Sequence, residues 1–428
     1  MKSGCLTAVL CALALAASGA ALAQGVPSQS PPARGGGSAL GIEIDLGALW
    51  RAGRALLAAR ARDAPAHAPD RLLAVYALDA ARIAPQAFGI DDGVQVLGET
   101  ELPALGLRVV ELRVEPARLL EIAERLRQAL PAVTIDVDAY WQPADGGALP
   151  ARIGRLYAAP MVGVAAPETL ARAVRIAVID GDLDESVGLQ VALLARASFA
   201  QAAAGVEHGT AVACLIACRT RGDGDARFFG LAQGAALLHA AVLQEDGGRV
   251  LARTLSVLRA LDWALAGRAE LLHFSLGAPP NAVIAHAIAA ARRKTQAIVA
   301  AAGNGGPQGA PLYPAALEGV IAVAAVDAAG RPYRDGTRGA HVALAAPGVD
   351  VWVPQPAVEA GQYVSGTSFA APLVTAILAQ RLARALPVDG DALCRAAQDL
   401  PPPGRDPATG CGLLRAPASG ASQAPPVH

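Results

Sequence analysis

The sequence predicts an α/β protein: a mainly parallel β-sheet with helices on both faces, preceded by a small α+β domain. Beyond residue 150, the runs 174–179, 271–276, 297–301 and 320–326 are almost uninterruptedly apolar. Strands that read this way are buried on both faces, as in parallel sheets. Helical or loop sequence separates them, which is how parallel strands are connected. Composition agrees, since 53% of the 428 residues are hydrophobic and 17% charged, enough apolar surface for a large core.

Taken in order, Lys2, the apolar run 6–17 and Ala21-Leu22-Ala23 read as a secretory signal peptide over residues 1–23, too short to span a bilayer comfortably. The chain is therefore expected to be exported, to a periplasmic or extracellular space, with no integral membrane span. Residues 24–66 form a flexible lead and a short amphipathic helix. Leu46, Leu49, Trp50, Leu56 and Leu57 fall at helical spacing with Arg51 and Arg54 between them, a pattern that suits a protein core or a membrane surface. Residues 67–141 give strands at 72–78, 94–97, 107–114 and 133–137 and a helix over 116–130, with Pro116 near its start. The Pro/Gly/Ala-rich stretch within 142–165 reads as a linker or processing site. Residues 166–415 are the α/β domain, and 416–428 a disordered tail.

The balance of 36 Lys+Arg against 37 Asp+Glu excludes bulk electrostatic attraction to nucleic acid or an anionic membrane as the main partnership. Of six cysteines, Cys5 and Cys11 lie in the signal peptide. Cys394 and Cys411, in a Pro/Gly-rich segment, are the expected disulfide in an oxidising compartment. Cys214 and Cys218 stand four apart on an expected helix, a poor geometry for a bridge, and are expected as small buried hydrophobes. No C-x-x-C pair supports a metal site.

Three motifs carry chemistry. Asp180 ends an apolar strand, so its half-buried carboxylate needs a hydrogen-bonded partner. Asp180, Asp182 and Asp184 alternate like a calcium loop, but Glu185 and Val191 stand where an EF-hand requires Gly and Glu. His208 opens an apolar helix. A carboxylate accepting from one of its ring nitrogens would leave the other available as a base. Gly366-Thr367-Ser368-Phe369-Ala370-Ala371-Pro372 places a hydroxyl at a helix start, beside N–H groups able to bind a developing oxyanion.

Together these motifs resemble the subtilisin-like serine peptidases, over about residues 175–414. The order Asp180, His208, Ser368 is the subtilisin order, unlike that of the α/β-hydrolases or chymotrypsin. The resemblance implies a catalytic triad of those three residues and an oxyanion-hole amide from Asn304 in Ala301-Ala302-Gly303-Asn304-Gly305. It also implies a substrate-binding strand at Ser275-Leu276-Gly277, with Ala302 and Gly303 lining the groove. Two departures stand out: Asp180-Gly181-Asp182 replaces the usual Asp-Ser/Thr-Gly, and Glu207 precedes His208 where Gly is frequent. A second carboxylate beside the imidazole would raise its pKa. The unit 67–141 has the strand–helix order of the family's inhibitory propeptides.

The expected function is an exported serine endopeptidase acting on proteins or peptides as a monomer, with its own N-terminal domain as chaperone and inhibitor. A base at His208 would lose activity as pH falls through a histidine pKa, ordinarily about 6.5. No cofactor is expected. Calcium is common in the family, but no ligand set is found in the sequence. The alternative is a non-catalytic binding or maturation protein on the same scaffold, which would have no need of all four polar groups.

Overall fold

The computed structural model describes residues 65–89, 93–144, 148–150, 155–355 and 358–418, with the backbone alone at 148–150, 225 and 358–360. The expected signal peptide, the amphipathic helix and residues 419–428 lie outside them. All the described residues fall within one compact unit, Pro65–His428.

The chain begins with β1 (His67–Ala77), β2 (Gln95–Leu102), β3 (Leu107–Arg113), α1 (Leu119–Ala129) and β4 (Thr134–Pro143). The strands form an antiparallel sheet in the order β2-β3-β1-β4. Alternation along β1 sorts its side chains: Leu72, Ala74 and Tyr76 pack under α1, while Leu73 and Val75 enter the core on the other face. Helix α1 buries Leu119, Ile122, Ala123 and Leu126, one stripe at three- and four-residue spacing. Pro116 starts a 3-10 turn over Pro116–Arg118 that leads into α1. Strand β4 runs further than the expected 133–137. Trp141 is fully buried and donates Nε1–H to Thr254 Oγ1 (3.2 Å), which ties the strand to the domain that follows.

Next come β5 (Ala148–Pro150), β6 (Arg175–Asp180), β7 (Val191–Ser198), α2 (Val206–Ala217), β8 (Ala235–Ala241), β9 (Gln244–Asp246) and β10 (Arg249–Arg253). Helix α3 (Thr254–Ala266) leads to β11 (Leu271–Phe274), β12 (Leu276–Gly277), α4 (Ala282–Arg292), β13 (Ala297–Ala301) and β14 (Val320–Val326). The rest is β15 (Val342–Pro347), β16 (Val351–Gln355), β17 (Val358–Val364), α5 (Thr367–Ala383), α6 (Gly390–Ala396), β18 (Ala397–Gln398) and β19 (Leu413–Leu414). The central sheet runs β18-β19-β15-β14-β13-β11-β6-β8-β7, parallel throughout except at the β18–β19 edge. Both faces are covered. Ile176 and Val178 pack in the core with α2 and α5, whereas Ala177 and Ile179 pack with α3 and α4. The N-terminal sheet lies on α3 and α4, sharing their core through Leu73, Val75 and Trp141.

Cys394 and Cys411 are bridged, as expected. Cys214 and Cys218 are buried in the core, as expected, but the expectation that they are unbridged is corrected: they too form a disulfide, with Cα atoms 4.4 Å apart. The expectation placed both cysteines on a helix. Helix α2 ends at Ala217, and Cys218 is already extended (φ −71°, ψ 150°), so the continuous-helix geometry that would separate the two thiols does not apply. Residues 416–418, expected in a disordered tail, are held: Ala416 N–H donates to Val162 O (2.8 Å) and Arg384 to Pro417 O (3.0 Å). Among the described residues no helix is long and apolar enough to cross a membrane, and no cluster of three His, Cys, Asp or Glu could hold a metal ion.

Candidate active site

Asp180 is the last residue of β6, His208 the third of α2 and Ser368 the second of α5. The strand and the two helix starts meet at the carboxyl end of the central sheet, where parallel sheets gather functional groups. His208 Nδ1–H donates to Asp180 Oδ1 (2.6 Å). The same oxygen accepts from the Gly181 amide (2.6 Å). Burial drives the fully enclosed Asp180 carboxyl upward. The His208 charge and hydrogen bond outweigh it and, with the Gly181 amide and His239, hold the group below the ordinary aspartate value.

Glycines let α2 come this close. A Cβ on Gly181 would lie 2.2 Å from Gly205 O, and one on Gly209 would lie 2.4 Å from Asp182 O. The Asp-Gly-Asp departure is thereby explained in part, since position 181 has no room for a side chain. Asp182 turns to Arg196 (2.6 Å), and Glu207 is exposed on the first turn of α2. Phe369, the residue after Ser368, packs on the His208 ring with centroids 5.4 Å apart.

Ser368 is fully buried. As the second residue of α5 its N–H has no helical acceptor, and it donates to Ala144 O (3.0 Å). Asn304 Nδ2 donates to that same oxygen (2.5 Å), and so does the Ser368 hydroxyl. Asn304 Oδ1 accepts from the Thr367 N–H and hydroxyl (both 3.1 Å), which fixes the amide with its NH2 toward Ala144. Gly303 N–H donates to Thr367 Oγ1 (3.0 Å) and Ala302 N–H to Val323 O (3.0 Å). Those two residues thus build the turn beneath Asn304. Gly303 sits at φ +108°, a left-handed conformation that favours glycine.

The strand leading to Ala144 lies on Ser275-Leu276-Gly277. Ala144 N–H donates to Ser275 O (3.1 Å), while Pro143 pairs with Leu276 and Gln142 with Gly277, antiparallel. The chain's own residues 142–144 therefore lie along the strand expected to bind substrate, with the Ala144 carbonyl oxygen between the Ser368 N–H and the Asn304 amide.

Behind Ser368 is a buried polar chain centred on a histidine that the sequence reading missed. Pro372, in the second turn of α5, has no N–H for the carbonyl of Ser368 four residues earlier. The Ser275 hydroxyl donates to that carbonyl instead (2.7 Å). With its proton so used, Ser275 Oγ accepts from His273 Nε2–H (2.8 Å), and His273 Nδ1 faces the Thr375 hydroxyl (2.8 Å). Burial pushes the His273 pKa down to about 4, so the imidazole is neutral. The one signal available in sequence was a histidine inside the apolar run of β11.

The model of the subtilase family matches residues 173–392, just over half of the chain. The chain belongs to the subtilase family. It is 34% identical over 212 residues to a thermostable alkaline protease of Halalkalibacterium halodurans, covering 48% of this chain and 55% of that protein. Against subtilisin DY of Bacillus licheniformis it is 31% identical over 183 residues, 41% of this chain and 64% of the other. It is 32% identical over 218 residues to the minor extracellular protease Epr of Bacillus subtilis, 49% of this chain and 32% of that one. The chain thus spans about a third to two thirds of the length of these relatives. The crystal structure of fervidolysin from Fervidobacterium pennivorans shares the fold, with a TM-score of 0.63 at 21% identity over 82% of this chain and 60% of that chain.

Proposed function

We propose that this chain is an exported serine endopeptidase whose first substrate is itself, at the bond between Ala144 and Asp145. The position of the Ala144 carbonyl carries the reading: it accepts from the Ser368 amide and from Asn304, as a scissile carbonyl must if the developing oxyanion is to be stabilised. Ser368 Oγ attacks that carbon, and His208 takes the hydroxyl proton and returns it to the leaving amine of Asp145. Asp180 orients the imidazole and stabilises its charged form. The acyl group on Ser368 is then released by water, which His208 deprotonates.

The N-terminal layer acts as chaperone and inhibitor in this proposal. Before the cut its last residues occupy the Ser275–Gly277 strand; after it they remain as a product that keeps other polypeptides out. Small Ala144 at the cut, buried in the main core, supports a preference for small side chains before the scissile bond. Labelling by a fluorophosphonate tests the activity. Processed wild type should react and Ser368→Ala should not; no reaction after removal of the N-terminal layer would leave a binding protein on this scaffold.

A further inference from the structure

We propose that the edge of β17 covered by β5 is a second substrate-binding strand, which pairs through its main chain with the fourth to sixth residues after the scissile bond. The inference rests on the peptidase reading above and names the substrate class of that site: extended polypeptide running at least six residues past the cut. With Ala144 supplying the carbonyl, Ala148, Leu149 and Pro150 are those three residues. They pair antiparallel with Val364, Tyr363 and Gln362. The other edge of β17 is already taken by β16, with Val351 opposite Val364 and Trp352 opposite Tyr363. Strand β17 ends four residues before Ser368, so one short stretch of chain carries both the pairing edge and the proposed nucleophile. A cleft of about 350 Å³ lined by Pro143, His208, Gln362, Val364 and Phe369 joins the two sides of the cut. An open strand edge selects for extended backbone and tolerates varied side chains. In the processed enzyme residues 148–150 stay attached and compete for the same edge.

The test uses processed wild type and the processed full-chain variant Leu149→Pro, which removes an amide from the tethered strand. Each is titrated with a fluorophosphonate and assayed on peptides matching residues 139–147 and 139–150. The longer peptide should have a kcat/KM about ten-fold higher with Leu149→Pro, the effect of one or two added main-chain hydrogen bonds, and a smaller advantage with wild type. N-methylation at positions 148 and 149 of the peptide should abolish the advantage. Equal kcat/KM for both lengths in both enzymes at equal titre, or an advantage that survives N-methylation, would overturn the proposal. An absence of any titre would instead remove the peptidase reading and this inference with it.

Discussion

The Ala144 carbonyl oxygen lies 2.5 Å from Asn304 Nδ2, on an amide whose own carbonyl is held by Thr367. The amide is therefore fixed in place, and in the proposed reaction it would meet the developing charge already oriented, as an effective oxyanion contact requires. Asn304→Ala should slow cleavage after Ala144 and turnover of added peptides by about a hundred- to a thousand-fold, with KM little changed. Stopped time courses analysed by mass spectrometry check the first, steady-state kinetics the second. An equivalent rise in KM with kcat unchanged would make Asn304 a binding group alone.

The docking of the N-terminal layer should depend on pH through Asp138. This residue of β4 accepts from the Thr254 N–H (2.9 Å) at the start of α3. Burial pushes its carboxyl up to about 6, against the opposing pull of Arg253. A folded pKa above the unfolded one, ordinarily about 3.9, stabilises most below that lower value and loses its effect as pH rises through about 6. The cleaved layer should accordingly leave faster at pH 7 than at pH 5, and Asp138→Asn should flatten that difference. Size-exclusion chromatography of the cleaved protein at each pH, which follows the released layer directly, measures it.

Acid should act on the core in the opposite sense. Burial depresses His273 to about 4 and lowers His239 as well, whereas the unfolded chain takes up these protons near 6.5. Stability is complete above that value and declines as pH falls toward 4, by on the order of 3 kcal/mol for His273. His273→Asn, which retains a donor and an acceptor, should reduce the decline seen in urea midpoints between pH 7 and 4.5. An unchanged slope would show that His273 does not couple to folding in this way.

Much of this was legible in sequence because strong local patterns coincide with the structure. The runs at 297–301 and 320–326 are β13 and β14 to the residue, and Asp180, His208 and Ser368 fall at one strand end and two helix starts. Less legible was β8, whose Ala-Ala-Leu-Leu-His-Ala-Ala favours helix and becomes a strand through burial between β6 and β7. The Cys214–Cys218 bridge depended on where α2 stops, a boundary that spacing alone does not fix. The Ser275–His273–Thr375 chain joins residues 102 apart in sequence. It follows from the N–H that Pro372 lacks, an effect of the Gly366–Pro372 motif that shows only once the helix packs against β11. The seating of Ala144 between Ser368 and Asn304 was hidden for a similar reason: 142–144 read as linker, and only pairing with Leu276 and Gly277 makes them a strand.

The most direct measurement is the intact mass and N-terminal sequence of the purified chain beside Ser368→Ala. Self-cleavage by Ser368 predicts a wild-type fragment beginning at Asp145 and a Ser368→Ala protein uncut at that bond. A first cut elsewhere, or the same Asp145 terminus from purified Ser368→Ala, would contradict it.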